Sequence, residues 1–456
     1  MASSPPDRSR ATVVALLCTA QFVVVLDVTI VAVALPAIRE GLGFRVADLQ
    51  WVVTAYTLVF AGFLVLAGRL ADVQGRRRVF MAGLALFSLA SLACGLSTSP
   101  AALVAARAVQ GLGAAAIAPA ALATITATVP DGPARRRALG WWTAAAAGGG
   151  AAGWVLGGVL TEQLGWQWVF LVNVPVGAVA IALTPAVVPE TRVSGASRRL
   201  DVPGAIAITA ALALLVLGLT RAEAAGPGAP LALGPVAAGL ALLAMFARIE
   251  ARAPDPLLPA ALLRADGLVG ANLVAATLTA TTTASLLLCM LDLQGSQGRS
   301  PLETGALFAP FNLAVIAGSL LGSRVPKALG VRGAMAAGLA GVGAGGAWLA
   351  VVAAGGAPPL TVLPAFAAMG GGLGVASVAS TAAGTAAAGR AREGVASGLL
   401  NTAAQVGTAL GVAIILSLAA AAGQRVALSA SAALAIAAAA LVVARPRPRS
   451  PCYESS

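Results

Sequence analysis

Apolar runs long enough to cross a bilayer follow one another from residue 12 to residue 444, parted by short breaks rich in arginine, proline and glycine. A hydrocarbon core of about 30 Å takes about 20 helical residues at 1.5 Å each, and the runs meet that length repeatedly. Breaking the chain at charges, prolines and glycine clusters predicts fourteen membrane helices, at 12–35, 47–68, 79–97, 101–128, 138–161, 168–188, 203–220, 233–248, 268–291, 303–323, 333–353, 360–386, 395–419 and 426–444. The seventh and eighth are the shortest. An even number puts both termini on one side. The polar opening Met1 to Arg10 leads into an apolar run too long for a signal-peptide core, so the first span is expected to stay in the protein.

Arginine placement gives the orientation. With the N-terminus inside, 23 of the 29 basic residues fall in tails and loops on that side, and five fall outside (Arg39, Arg45, Arg221, Arg299 and Arg425). Arg107 lies within a span. Inner loops collect Lys and Arg, and one miscounted span would invert every loop after it, so the split supports the count with both termini cytosolic. Composition agrees: 59% hydrophobic residues, 10% charged and a mean hydropathy of +0.91 exclude a soluble domain of this length. Heavy use of Ala, Gly, Arg and Pro points to a high-GC bacterium, and hence to its cytoplasmic membrane.

The net charge of +12 does not indicate nucleic acid, because the basic residues are scattered through short loops without an aromatic platform. The sequence has no histidine, so any proton-carrying step falls to carboxylates, water or substrate groups. Cys18, Cys94, Cys289 and Cys452 show neither metal-ligand spacing nor a disulfide framework and read as small core residues. No metal cluster, nucleophile–base arrangement or nucleotide loop is visible, so neither an enzyme nor a cofactor is expected, and an ion gradient is left to drive uphill transport.

Gly140, Gly149 and Gly153 in the fifth span are spaced as Gly398, Gly407 and Gly411 are in the thirteenth. Equivalent helices of two six-helix bundles would stand six apart; here they stand eight apart, so two spans have been inserted, and the seventh and eighth are the natural pair. The expected division is a cytosolic tail (1–11), an N-terminal six-helix bundle (12–188), a linker carrying two extra helices (189–266), a C-terminal six-helix bundle (267–445) and a second cytosolic tail (446–456). Parallel bundles of this kind suit alternating access, with the substrate path between them.

Asp27 and Arg107 lie deep inside spans, where a charge costs several kcal/mol unless paired or wetted. Counting 1.5 Å per residue from the outer surface puts Asp27 roughly 12 Å deep in the first span and Arg107 roughly 9 Å deep in the fourth, so the two can meet. A carboxylate held by an arginine and released by substrate or a conformational change would pick up a proton. The alternatives are a structural aspartate and an arginine that staples two helices; Gln110, on the face of Arg107, serves either reading.

Several stretches resemble signatures of the major facilitator superfamily and of its fourteen-span drug:proton antiporter branch. The loop Gly68-Arg-Leu-Ala-Asp72-Val-Gln-Gly75-Arg76-Arg77-Arg78 is similar to the superfamily's loop between the second and third helices, where turn-forming glycines, the aspartate and the arginines gate the cytosolic side; an ordinary basic turn is the alternative. A loop holding Arg324, Lys327 and Gly330 stands where a second copy should be and lacks the aspartate. Leu26-Asp27-Val-Thr-Ile-Val-Ala-Val-Ala-Leu-Pro36 is close to the branch's first-helix signature, with Ala32 in place of the usual asparagine, and Arg107-Ala-Val-Gln110-Gly111 resembles the fourth-helix motif associated with proton transfer. Gly140, Gly149, Gly153, Gly157 and Gly158 resemble the antiporter motif of an element facing the other bundle, but Trp154 replaces the proline that follows the third glycine. Trp166-Gln-Trp168-Val-Phe-Leu-Val-Asn173-Val-Pro175-Val-Gly177 matches the start of the branch's sixth helix, its tryptophans reading as interfacial anchors and Asn173 and Pro175 as helix-shaping.

In the second bundle Asp292 stands near the usual tyrosine of a ninth-span motif, as a second proton site, a substrate contact or a solvated cap beside Arg299. Asn401 and Gln405 put two amides on one face, lining a cavity or joining helices. The resemblance implies a monomeric exporter of small hydrophobic or amphipathic drugs or antibiotics in exchange for protons, embedded in the lipid bilayer. A proton-coupled importer or a uniporter of a small nutrient on the same fold is the alternative, left open by the missing proline.

Overall fold

The computed structural model describes residues 7–130, 133–192, 202–225, 229–252, 266–322, 325–352, 358–388 and 393–444. Fourteen helices among them are long and apolar enough to cross a membrane. The first half holds α1 (Asp7–Leu42), α2 (Trp51–Gln74), α3 (Arg76–Gly95), α4 (Pro100–Thr128), α5 (Pro133–Leu164) and α6 (Trp168–Val187). Then come α7 (Val202–Ala225) and α8 (Pro230–Arg252). The second half holds α9 (Asp266–Gly295), α10 (Pro301–Gly322), α11 (Val325–Val352), α12 (Pro359–Ala387), α13 (Glu393–Ala422) and α14 (Gln424–Ala444).

Each predicted span falls on one of these helices. α1 is longer than its apolar run, because helix continues through Pro36 to Gly43, whose φ of +70° ends it. The second span starts later than expected: Val46–Leu49 is a separate short helix, and α2 begins at Trp51. Residues 193–201 and 253–265 of the predicted linker, with Arg198 and Arg199, and the tail from 445 onward, with Cys452, lie outside the described residues.

One packing scheme occurs twice. In the first half α1 lies along α5, α2 and α3 along α4, and α3 against α6; in the second half α9 lies along α13, α10 and α11 along α12, and α11 against α14. The two six-helix bundles meet through α5 with α10 and α2 with α13, which are each other's equivalents in the repeat. Lipid gives apolar helices no hydrophobic reason to associate, so close van der Waals approach has to supply the attraction. Glycines allow it: a Cβ on Gly113 would lie 2.6 Å from the backbone nitrogen of Phe87, and one on Gly372 would lie 2.4 Å from the Gly338 carbonyl oxygen in the equivalent crossing.

α7 and α8 form a hairpin outside the repeat, with α7 lying against both α2 and α13. Leu212 and Val216 of α7 pack with Leu58, Ala409 and Ala413, and Thr209 fills the notch over Gly62. The inserted pair thus covers the seam on one flank.

The contacts that close the seam gather in the half away from the 68–78 loop. There the Trp154 and Phe308 rings stand 4.4 Å apart, the Leu302 N–H donates to Glu162 Oε2 (3.2 Å), and Gln294 Nε2 donates to the Val33 carbonyl (3.2 Å). Nearer the loop, a Cβ on Gly140 or Gly398 would meet nothing within 4 Å, and Asn401 is exposed.

Candidate functional site

α1, α3, α4 and α6 converge on Asp27. Arg107 Nη1 donates to Asp27 Oδ2 at 2.5 Å, while Gln110 Nε2 (2.7 Å) and Asn173 Nδ2 (2.9 Å) both donate to Oδ1. Arg107 also donates from Nη1 to Gln110 Oε1 (2.6 Å) and from Nε to the Val52 carbonyl of α2 (2.8 Å). Ser91 Oγ lies 2.6 Å from Gln110 Nε2 and 3.3 Å from Asn173 Nδ2, accepting from both, and Cys94 Sγ faces Gln110 Oε1 at 3.8 Å.

Spacing within the helices brings these groups together. Arg107 and Gln110 are three apart on α4, so they share a face and together span both carboxylate oxygens. Asn173 opens the long part of α6, which sets its amide against α1. Asp27 and Arg107 are the charged side chains fully buried among the described residues, at 0% and 1% exposure. A buried pair of this kind needs further hydrogen bonds to persist, here from Gln110 and Asn173 to the carboxylate and from Arg107 to the Val52 carbonyl, and losing one partner strands the other. The arrangement holds a carboxylate out of water against one guanidinium and two amides.

The 68–78 loop forms a second cluster. Asp72 Oδ1 accepts from Arg76 Nη2 (2.8 Å) and Nε (3.1 Å), and Arg76 Nη1 reaches the Ala123 carbonyl near the end of α4 (3.0 Å). Glu190, just past α6, accepts from the Arg77 backbone N–H (3.1 Å) and lies 3.9 Å from the guanidinium groups of both Arg77 and Arg78. The Arg76 N–H donates to the Thr191 carbonyl (3.0 Å), so the exit strand of the bundle clamps the loop. Gly75 has a φ of +113°, and a Cβ there would lie 2.5 Å from Glu190 Oε1. Gly75→Ala is therefore expected to cost about 1–3 kcal/mol and to loosen the clamp, read as a lower thermal midpoint in detergent. Glu190→Gln keeps the shape and removes the charge facing Arg77 and Arg78. It is expected to leave folding intact and to free the loop, read as faster hydrogen–deuterium exchange over residues 76–78; unchanged exchange would mean that Glu190 does not hold the loop by its charge. The second copy has Gly330, with φ +72°, interrupting α11 at the matching place.

Gly68 is half-buried beside Pro119 of α4. On α5 the glycines face differently than expected. Gly149, Gly153 and Gly157 press on Phe22, Thr29 and Ile30 of α1 within their own bundle, Gly140 meets nothing, and Gly158 touches the other bundle, at Pro301 and Leu302. The 3.6-residue period explains this: positions four apart stay on one face, and only 158, one residue on, turns toward α10. Gly407 and Gly411 repeat the contact, on Ala276 and Ala280 of α9. Gln110 is fully buried in the Asp27 network, not on a cavity wall. Asp292 accepts from Gln297 Nε2 (2.9 Å) and from Ser296 Oγ at the closed end of α9, beside a small cavity of about 20 Å³ enclosed by α9, α11, α12 and α14, away from the seam. Asn401 is exposed and Gln405 half-buried, nearer the loop end of α13.

Three residues of these clusters carried no expectation: Ser91, Glu190 and Tyr56, whose ring centroid lies 4.4 Å from the guanidinium carbon of Arg107. Ser91 gives no pattern against its apolar run. Glu190 has a usable signal, an acid leaving the sixth span on the side where Arg76, Arg77 and Arg78 collect. Tyr56 is one of two tyrosines in the chain, placed mid-span where a hydroxyl needs a partner. Asn173, expected to shape its helix, also holds the carboxylate.

A family model described as Major Facilitator Superfamily matches residues 17–256. Among curated proteins, the chain is 40% identical to the cephamycin export protein CmcT of Amycolatopsis lactamdurans, covering 90% of this chain and 85% of that one. It is 37% identical to the puromycin resistance protein pur8 of Streptomyces alboniger (90% and 82% covered) and 33% identical to the lincomycin resistance protein of Streptomyces lincolnensis (90% and 85%). Among solved structures, a POT family transporter in complex with 5-aminolevulinic acid superposes with a TM-score of 0.70 at 12% identity, over 94% of this chain and 95% of that one. That likeness shows the fold.

Proposed function

We propose that this chain, which belongs to the Major Facilitator Superfamily, is a drug efflux transporter that expels small hydrophobic or amphipathic antibiotics from a bacterial cell in exchange for protons. The observation that carries the proton coupling is Asp27, fully buried and held by Arg107, Gln110 and Asn173. The names of the relatives support the substrate class: each exports or confers resistance to a small antibiotic.

In this reading the chain lies in the cytoplasmic membrane with both tails and the 68–78 loop in the cytosol, works as a monomer and needs no cofactor. When the seam opens outward, Asp27 takes a proton from outside and its hold on Arg107 weakens. When the seam closes outside and opens inward, the carboxyl releases that proton to the cytosol, Arg107 closes on the carboxylate again, and the drug can enter between the bundles. Protons move in as the drug moves out, with no bond made or broken in the drug. The Asp72–Arg76–Glu190 clamp sits where the cytosolic end would have to shut.

Proton release from inside-out vesicles tests the reading. With an acid interior and a pH-sensitive dye, puromycin, lincomycin, cefoxitin and ethidium are added in turn to vesicles carrying the wild type or Asp27→Asn. Discharge by at least one compound with the wild type, and its loss with Asp27→Asn, is the expected result. Equal discharge by both proteins would remove Asp27 from the mechanism, and uptake of a compound without proton movement would favour a uniporter.

A further inference from the structure

We propose that the ring of Tyr56 is the partner that holds Arg107 in place when Asp27 is neutralised during the transport cycle. The inference rests on the coupling reading above and adds a residue to it.

Tyr56 lies on α2, with the guanidinium carbon of Arg107 4.4 Å from its ring centroid. Two backbone contacts fix this register. Arg107 Nε donates to the Val52 carbonyl, one turn before Tyr56, and Gly111, one turn after Arg107, lies so close that a Cβ on it would stand 2.4 Å from the Tyr56 carbonyl oxygen. The 107–111 turn of α4 is therefore seated on the 52–56 turn of α2, a register that places the Tyr56 ring beside the guanidinium. Phe170 offers a second ring at 5.7 Å, at the edge of useful range.

The hydroxyl does not explain Tyr56. Its Oη is buried and has no hydrogen-bond partner, in a side chain 1% exposed. The internal repeat points the same way. In the second bundle Gly370 sits on the Phe311 carbonyl, a Cβ there falling 2.3 Å from that oxygen, and the residue one turn before Gly370 is Phe366, whose ring meets Phe311 edge-on at 6.4 Å. Phe311 thus occupies the place of Tyr56, and Phe366 that of Arg107. Both copies keep an aromatic platform against the residue from the fourth or twelfth helix, so the ring is what the repeat preserves.

A ring face attracts a cation and repels a carboxylate, so it stabilises a lone guanidinium more than one already paired with Asp27. The ring therefore favours the neutral acid beside a free arginine, and losing it makes Asp27 harder to protonate. Other groups around Asp27 do not compete for this role. α4 brings Gln110, α3 brings Ser91 and Cys94, α6 brings Asn173, and α5 opposes α1 with Gly149 and Gly153 and no ionisable group. The nearest carboxylate on α9, Asp292, lies at the closed end with its own donors.

Infrared titration of purified protein tests this without any substrate. The carbonyl stretch of a protonated buried carboxyl, identified by its loss in Asp27→Asn, is followed against pH in wild type, Tyr56→Phe and Tyr56→Leu. The expected result is a wild-type midpoint in Tyr56→Phe and a midpoint about one pH unit more acidic in Tyr56→Leu, the size a desolvated cation–ring contact would give. An unshifted Tyr56→Leu, or a Tyr56→Phe shifted as far as Tyr56→Leu, would overturn the proposal. Should Tyr56→Leu fail to fold, fluorinated phenylalanines at position 56 keep the shape while draining the ring face, and a midpoint that does not fall with added fluorine overturns it equally. If no band disappears in Asp27→Asn at any pH, Asp27 does not titrate and the coupling reading fails first, an outcome distinct from failure of the ring.

Discussion

Arg107→Met is expected to abolish export and to destabilise the protein by about 3–5 kcal/mol, whereas the double variant Asp27→Asn, Arg107→Met recovers most of the stability and none of the export. The asymmetry follows from burial. Removing only the arginine leaves a carboxylate with no water and no counter-charge, at 0% exposure, held by two neutral amide donors. The chain answers either by unfolding more readily or by protonating Asp27 permanently, and both outcomes stop a cycle that needs the proton to leave. Replacing both partners with neutral groups of similar size removes the uncompensated charge, and methionine fills the space over Tyr56. Thermal unfolding in detergent and drug accumulation in cells measure the two effects separately. A double variant no more stable than Arg107→Met would mean that the penalty is lost packing, and an Arg107→Met protein that still exports would mean that Asp27 does not depend on its ion pair.

Much of this site is legible before any coordinates exist, because membrane depth is nearly a one-dimensional quantity. Residue counts from the outer boundary put Asp27 and Arg107 at similar depths, and the depth restricts the partners a buried charge can find. Depth does not fix the angle around a helix axis. The amides that complete the network therefore divide: Gln110 is recoverable as the face-mate of Arg107, while Asn173 reads as a shaping residue beside Pro175, and Ser91 does not read at all. The glycine spacing of α5 shows the same limit. The period reveals a face of small residues and a repeat in α13, but which neighbour that face meets depends on how the bundle closes, and most of it turned out to lie on α1. The fourteen spans and the insertion of α7 and α8 were readable because charge placement and glycine spacing constrain them independently. The clamp on the 68–78 loop was only half readable, since Glu190 comes from a segment more than one hundred residues further along the chain.

Gly305→Val is expected to leave the protein folded but hold its two halves apart at the closed end, with export reduced to background. A Cβ on Gly305 would lie 2.2 Å from the carbonyl oxygen of Trp154, a backbone atom that cannot rotate away, and that contact belongs to the other bundle. Packing within each bundle is untouched, so the cost falls on the closed state and not on the fold. Spin labels at Leu164 and Gln297, exposed on either side of the seam, should report a longer distance in Gly305→Val than in the wild type. An unchanged distance with normal export would show that the α5–α10 crossing is not the seal. Trp154 should give the finer result. Its ring packs on Phe308, which in turn packs on Phe366 at 4.6 Å, and such aromatic pairs are worth about 0.5–1.5 kcal/mol each beyond their area. Its indole N–H, however, is buried without a partner, which costs about 1–3 kcal/mol while the seam is shut and is relieved when water reaches it. The ring contact and the stranded N–H therefore act on the closed end in opposite senses. Trp154→Phe keeps the ring contact and drops the orphaned donor, so it should hold the end shut more firmly and slow export. Trp154→Ala removes the ring contact as well and should lengthen the same spin-label distance, so the two substitutions at one position move the seal in opposite directions.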